Sequence, residues 1–226
     1  FLPSMIEVKF DDYYKNCARN LFQEGFSSFH VDFGDEIFIK RDLLPWDKVK
    51  FLKSLGKVKL TAHLMCSSGV HKGNVKETAK RCLEEEFETI FIHPKSFKNY
   101  NDFLIFKNDI FNNLNQKFGI VSELNEKLDQ NLINHINEKE IKKILQMGVP
   151  IGKGGQSFGI TSIDQINHIK KLCPNVSHVE LDGGLTFGII KELNGLAIQA
   201  FSGWSLISNA SPKEVSRNAI RLKELL

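Results

Sequence analysis

The stretch Phe29-His30-Val31-Asp32-Phe33-Gly34-Asp35 places an imidazole two residues before a carboxylate, with apolar residues between and around them. In a strand that alternation turns His30 and Asp32 to one face and Phe29, Val31 and Phe33 to the other. Such a polar face is ordinarily the wet side of a surface strand, so the pair acquires chemistry only if other ligating groups can reach it. Two more apolar runs end in such groups: His63 in Thr61-Ala62-His63-Leu64-Met65, and Asp182 in His178–Asp182. Two imidazoles and two carboxylates converging from three strand ends would hold one divalent metal ion of the Zn, Mn, Fe or Co kind.

Glycines mark a second set of positions. Gly154-Gly155, Gly183-Gly184 and Ser202-Gly203 each follow one of the later apolar runs. Without side chains in front of them, their backbone N–H groups could close on an anion, and phosphate sites in barrels commonly lie near the seventh and eighth strands. Lys153 beside the first pair could neutralise part of that charge.

These residues need a scaffold that brings distant strand ends together. Short β-like runs alternate with helix-like segments along the whole chain, the pattern of βα units around a parallel sheet. The runs are Ser4–Val8, Ser28–Phe33, Lys57–Met65, Thr89–His93, Lys117–Val121, Lys143–Val149, His178–Asp182 and Ala197–Phe201. Between them, Asn74 and Glu77 predict a capped helix, Asn99–Gln116 should hold another, and Ser211-Pro212-Lys213-Glu214 is a capping box opening the last. The polar stretch Glu123–Glu140 carries no clear period. Eight units in 226 residues predict a single (β/α)8 TIM barrel, one domain over residues 1–226. An open doubly wound sheet is the competing architecture, and the lack of G-x-G-x-x-G after the first strand counts against a dinucleotide fold.

Composition narrows the function further. With 42% apolar residues the chain can bury a large core, and its net charge of +3 is spread without a basic block, so nucleic-acid binding has little support. No apolar run approaches a membrane span. Cys17, Cys66, Cys82 and Cys173 are widely spaced and read as buried thiols of a reducing compartment, which predicts a soluble, cytoplasmic protein. Among the other histidines, His93 is expected at the mouth, orienting substrate or serving structure, and His178 inside the barrel. His71, His135 and His168 are expected in loops or on the surface.

Several segments together resemble the ribulose-phosphate 3-epimerase family, from one end of the chain to the other. Pro3-Ser4 followed by Phe10 is similar to its P-S-I-L-x-x-D-F, His30-Val31-Asp32 to H-x-D-V-M-D, and Ala62-His63-Leu64-Met65 to V-H-L-M. His93-Pro94 resembles the F-H-x-E segment, Val149–Gln156 V-N-P-G-F-G-G-Q, and Asp182-Gly183-Gly184 V-D-G-G. The resemblance implies metal ligands His30, Asp32, His63 and Asp182, with Asp32 and Asp182 as the two acid–base groups. It also implies substrate contacts from Ser4, His63 and Met65, and phosphate contacts from Gly154, Gly155, Gly183, Gly184, Ser202 and Gly203. The implied reaction is metal-dependent 3-epimerisation of a ketose phosphate through an enediolate, in a homo-oligomer of the pentose phosphate pathway.

The chain departs from the family's pattern at Gly34, where a Met cover is missing, and at Lys40-Arg41, Glu123-Leu124-Asn125, Pro150–Lys153 and Phe201–Ser205. Two other functions stand beside the epimerase. A lyase or decarboxylase of the related phosphate-binding barrels would use D-x-K-x-x-D on one strand, and Asp32-Phe33-Gly34-Asp35 has no lysine in it. A non-catalytic barrel binding sugar phosphate and metal would keep the ligands while the loops changed.

Overall fold

The computed structural model of the chain describes residues 1–5, 8–138, 141–152, 154–193, 196, 198–203 and 211–225. Apolar runs too short for helices become eight strands: β1 (Leu2–Pro3), β2 (Ser28–Gly34), β3 (Lys59–Met65), β4 (Thr89–Ile92), β5 (Phe118–Ser122), β6 (Lys143–Met147), β7 (His178–Asp182) and β8 (Ala200–Gly203). Every strand pair is parallel and the order is β1-β8-β7-β6-β5-β4-β3-β2. A further parallel bridge between Ser4 and His30 joins the two ends of that order, so the sheet forms a nearly closed (β/α)8 barrel.

The helices are α1 (Asp12–Gln23), α2 (Glu36–Ile39), α3 (Trp46–Ser54), α4 (Val75–Glu84), α5 (Tyr100–Phe111), α6 (Gln130–Glu138), α7 (Thr161–Leu172), α8 (Phe187–Leu193) and α9 (Pro212–Leu225). Local chemistry starts several of them. The Asn74 side chain accepts from the N–H groups of Lys76 and Glu77, Asn99 accepts from Asp102, and Ser211 and Glu214 exchange the two bonds of the expected capping box. One face of each long helix then covers the sheet. Val75, Ala79 and Cys82 of α4 and Val215, Ala219 and Leu222 of α9 are buried, as their spacing predicts.

Two apolar layers result. The larger lies between strands and helices and includes Phe29, Val31 and Phe33. The smaller fills one side of the barrel with Phe91, Val121, Leu145 and Met147 from β4, β5 and β6, joined by Val149 just after β6. All four cysteines are buried and free, and burial pushes the Cys66 thiol up to about 12.

Several expectations change in detail. The first strand is Leu2–Pro3, with Ser4 in the closing bridge; Ile6 and Glu7 of the expected run Ser4–Val8 lie outside the described residues. The eighth starts at Ala200, and Ala197 is likewise outside. The stretch Glu123–Glu140, without a clear period in sequence, contains α6, whose Leu132, Ile133 and Ile136 are buried. His135 on the same helix is buried too, between the rings of Tyr100 and Phe103 at 5.8 and 6.5 Å, so it is not a surface residue. Among the described residues no helix is long and apolar enough to cross a membrane.

Gly119 on β5 leaves room for the Phe91 ring: a Cβ there would lie 2.3 Å from Phe91 Cδ1 and 3.3 Å from the Lys143 carbonyl oxygen. Gly119→Ala should therefore destabilise the barrel by about 1–3 kcal/mol through overpacking. Urea unfolding checks this, and an unchanged midpoint would contradict the packing described.

Candidate metal centre

Parallel register carries the ligating side chains to one place. Asp32 on β2 stands beside His63 on β3, and Asp182 on β7 beside Ser202 on β8, while the Ser4–His30 bridge brings β2 against β1. Because side chains alternate along a strand, His30 and Asp32 both turn inward while Phe29, Val31 and Phe33 face the helices. His30, Asp32, His63 and Asp182 are all buried and each offers one ligand atom, these atoms lying within 4.8 Å of one another. The expected wet face is thus the inner wall of the barrel.

Each group is held by a partner. Asp32 Oδ2 accepts from Ser4 Oγ at 2.7 Å and its Oδ1 lies 2.9 Å from His63 Nδ1. Asp182 Oδ1 accepts from Ser202 Oγ at 2.9 Å. His30 Nδ1 lies 2.6 Å from Glu180 Oε1, deep in the barrel. That leaves His30 Nε2 buried without a hydrogen-bond partner, 3.4 Å from Asp32 Oδ1 and 3.9 Å from Asp182 Oδ2. An orphaned ring nitrogen facing two carboxylates and a second imidazole has the donor set and the geometry of a cation site. The residues present fit a divalent ion.

Electrostatics separates the two aspartates. Burial raises the carboxyl of Asp32, but the nearby His30 ring and the hydrogen bond and charge of His63 outweigh it and hold Asp32 well below the usual range. Burial likewise raises Asp182, and the nearby Asp32 charge adds to it; although His30 and His63 oppose the rise, Asp182 is pushed up to about 6. The two carboxyl groups are therefore displaced in opposite directions by their surroundings. Burial works against charge on His30 too, yet Asp32, Asp182 and Glu180 together raise it well above the ordinary imidazole value.

The remaining expected residues are placed as follows. Met65 is buried at the end of β3, opposite Gly34. Gly183 and Gly184 follow β7 with φ of 91° and 69°, and the N–H of Gly183 donates to the Ser202 carbonyl at 3.3 Å, so it is not the bare donor expected. The Ser202 hydroxyl is turned to Asp182. A Cβ at Gly155 or Gly203 would meet nothing within 4 Å, so both backbones border open space. Gly154 is exposed in the same loop as Gly155. Lys153, Trp204 and Ser205 lie outside the described residues.

Three features were missed in sequence. Glu180 was legible: it shares the inward face of β7 with Asp182, two residues away. Ile39 was not. It occupies the space in front of Gly34, where a Cβ would come 2.2 Å from Ile39 Cδ1, so the apolar cover is supplied from α2 instead of from the strand. The third is a clamp between the loops after β2 and β3. Asp35 Oδ2 accepts from the Ser67 N–H at 2.6 Å, Ser67 Oγ at 3.0 Å and His71 Nε2 at 2.9 Å, while its Oδ1 caps α2 through the Phe38 N–H at 2.7 Å. His93, expected at the mouth, is fully buried, 2.7 Å from His63 Nε2 and 2.7 Å from Glu123 Oε1. Burial lowers His93 to about 4.

A family model described as the ribulose-phosphate 3 epimerase family matches residues 1–203. No curated protein matches the sequence. Among solved structures, 3-keto-L-gulonate-6-phosphate decarboxylase from Vibrio cholerae O1 biovar El Tor is similar at a TM-score of 0.64 and 13% identity, over 100% of this chain and 95% of that one. Orotidine 5'-phosphate decarboxylase from Pyrococcus horikoshii OT3 is similar at 0.63 and 14%, over 99% of each chain. Phosphoribosyl anthranilate isomerase from Thermus thermophilus is similar at 0.63 and 13%, over all of both chains. At such identities the likeness is one of fold.

The Asp35 clamp has a testable pH signature. Burial raises its carboxyl, but hydrogen bonds from His71, Ser67 and the Phe38 N–H outweigh that and lower it below the ordinary 3.8. The stabilisation is then complete above 3.8, the unfolded value, and is lost as pH falls through it toward the folded value. Asp35→Asn should cost about 1–3 kcal/mol at neutral pH and flatten the acid limb of stability against pH. Thermal unfolding of both proteins across the acid range measures it, and parallel curves would remove the clamp.

Proposed function

The chain belongs to the ribulose-phosphate 3-epimerase family, and from that premise we propose that it is a metal-dependent isomerase acting at C3 of a ketose phosphate. The substrate is D-ribulose 5-phosphate, interconverted with D-xylulose 5-phosphate, or a close relative such as allulose 6-phosphate. One observation supports this best: two buried carboxylates, Asp32 and Asp182, reach one cluster from different strands. Inverting C3 requires a base on one face of the sugar and an acid on the other, and two carboxyl groups carried by separate strands can divide those roles.

In this reading Asp32 Oδ accepts the C3 proton in one direction and Asp182 delivers a proton to the opposite face, the roles reversing for the return. Ser4 and Ser202, each donating to one of these carboxylates, fix which oxygen faces the sugar. His30 and His63, with the two aspartates, would hold one divalent ion of the Zn, Mn, Fe or Co kind. When bound, the ion supplies electrophilic stabilisation for the negative charge that builds as C3 loses its proton. Met65 and Ile39 exclude water above the reacting carbon, and the apolar wall from β4 to β6 keeps the local dielectric low. The loops with Gly154, Gly155, Gly184 and Gly203 would take the phosphate, anchoring the sugar far from the reacting atoms. Family membership further suggests a homo-oligomer, a cytoplasmic location and a place in pentose phosphate metabolism.

Metal analysis of the purified protein should find about one divalent ion per chain, and proton–deuterium exchange at C3 of ribulose 5-phosphate in heavy water should be catalysed. Asp182→Asn is expected to lower that exchange by roughly 10²–10⁴-fold. Bound metal without exchange on any of several ketose phosphates would make the protein a binding barrel instead.

A further inference from the structure

From the metal cluster toward solvent, side chains stand in one line. Asp32 Oδ1 is 2.9 Å from His63 Nδ1, His63 Nε2 is 2.7 Å from His93 Nε2, and His93 Nδ1 is 2.7 Å from Glu123 Oε1. The other oxygen of Glu123 accepts from Lys95 Nζ, half-exposed at the outer end. Counting protons along this line is informative. A carboxylate closes each end and accepts, so the three gaps call for three protons, while two imidazoles in the neutral form that ligates a metal carry two. In that form one gap is left for a cation.

Charge decides which gap. Glu123 is already paired with Lys95, and His93 Nδ1 faces it so closely that an N–H must lie between them. His93 then has its Nε2 lone pair toward His63, His63 must carry its proton on Nε2, and its Nδ1 lone pair is left pointing at Asp32 Oδ1 and, 3.7 Å away, Asp182 Oδ2. That is the corner of the cluster where the orphaned Nε2 of His30 also points. We infer that Glu123, held by Lys95, is a positioning residue that acts through His93 to fix His63 as the Nε2–H tautomer and so keeps the Nδ1 lone pair aimed at the cation. Glu180 performs the matching service for His30 directly, so each candidate imidazole ligand is oriented by a glutamate from outside the cluster. Glu123 is the first residue after β5 and one of the positions at which the sequence departs from the family's pattern. The inference rests on the metal reading proposed above.

Two measurements on the full chain test it. Cobalt(II) titrated into wild type, Glu123→Gln and Glu123→Leu, followed by its visible absorption and by calorimetry, should bind about 10–100-fold more weakly to Glu123→Leu, with Glu123→Gln between. Nitrogen-15 NMR of histidine-labelled, zinc-loaded wild type should show His93 protonated at Nδ1 and His63 at Nε2, a readout that needs no variant to fold. Cobalt bound by Glu123→Leu with wild-type affinity and spectrum, or His93 protonated at Nε2 in wild type, overturns the inference and leaves the metal reading intact. A wild type that binds no cobalt overturns both.

Discussion

Moving two carboxylates and two imidazoles out of water into the middle of a barrel is the constraint from which most of the structure around them follows. An isolated ionised group in such a place costs several kcal/mol even after relaxation, so each member of the cluster must be matched. Asp32 has Ser4 and both imidazoles; Asp182 has Ser202 and shifts toward its protonated form. His30 has Glu180 behind it, and His63 has His93. Even the seam that closes the barrel is involved, since the bridge from Ser4 to His30 puts the Ser4 hydroxyl over Asp32.

The barrel interior is divided by this arrangement. Strands β2, β3, β7 and β8, with Ser4 just after β1, turn polar groups inward, whereas β4, β5 and β6 turn in Phe91, Val121, Leu145 and Met147. An apolar wall opposite a charged one strengthens each interaction within the cluster, because little water is present to screen it. The loops at the mouth then have a narrower task. Asp35 ties the loops after β2 and β3 together through Ser67 and His71, and α2 lays Phe38 on the His93 ring, with centroids 5.1 Å apart, and Ile39 against Gly34. A small residue on the strand and a larger one on the following helix exchange volume without opening the site.

How much of this was legible in advance depended on the range of the interaction. Period-two alternation from Phe29 to Asp35 separated the two faces of β2, and position at the ends of apolar runs located His63 and Asp182; the capping box at Ser211 placed α9. Those signals are local, arising from backbone geometry within a few residues. The helix α6 was hidden because only Leu132, Ile133 and Ile136 mark its apolar stripe within a long polar stretch, and His135 was misplaced because only its neighbours Tyr100 and Phe103 show that it is covered. Ile39 and Glu123 were opaque for the same reason: each acts on a residue whose nearness depends on how loops fold over the barrel.

The amino-acid order by itself determined the alternation of strands and helices, the barrel they make, and the identity of the four groups that share its interior, because each follows from side-chain period and from which residue types can ligate or cap. Only the tertiary structure decided what those groups do to one another. Parallel register set Asp32 beside His63 and Asp182 beside Ser202, and burial among unequal neighbours then drove two identical carboxyl groups in opposite directions. Proton affinity depends on distance, charge and exclusion of water, and those exist only once the chain has closed on itself.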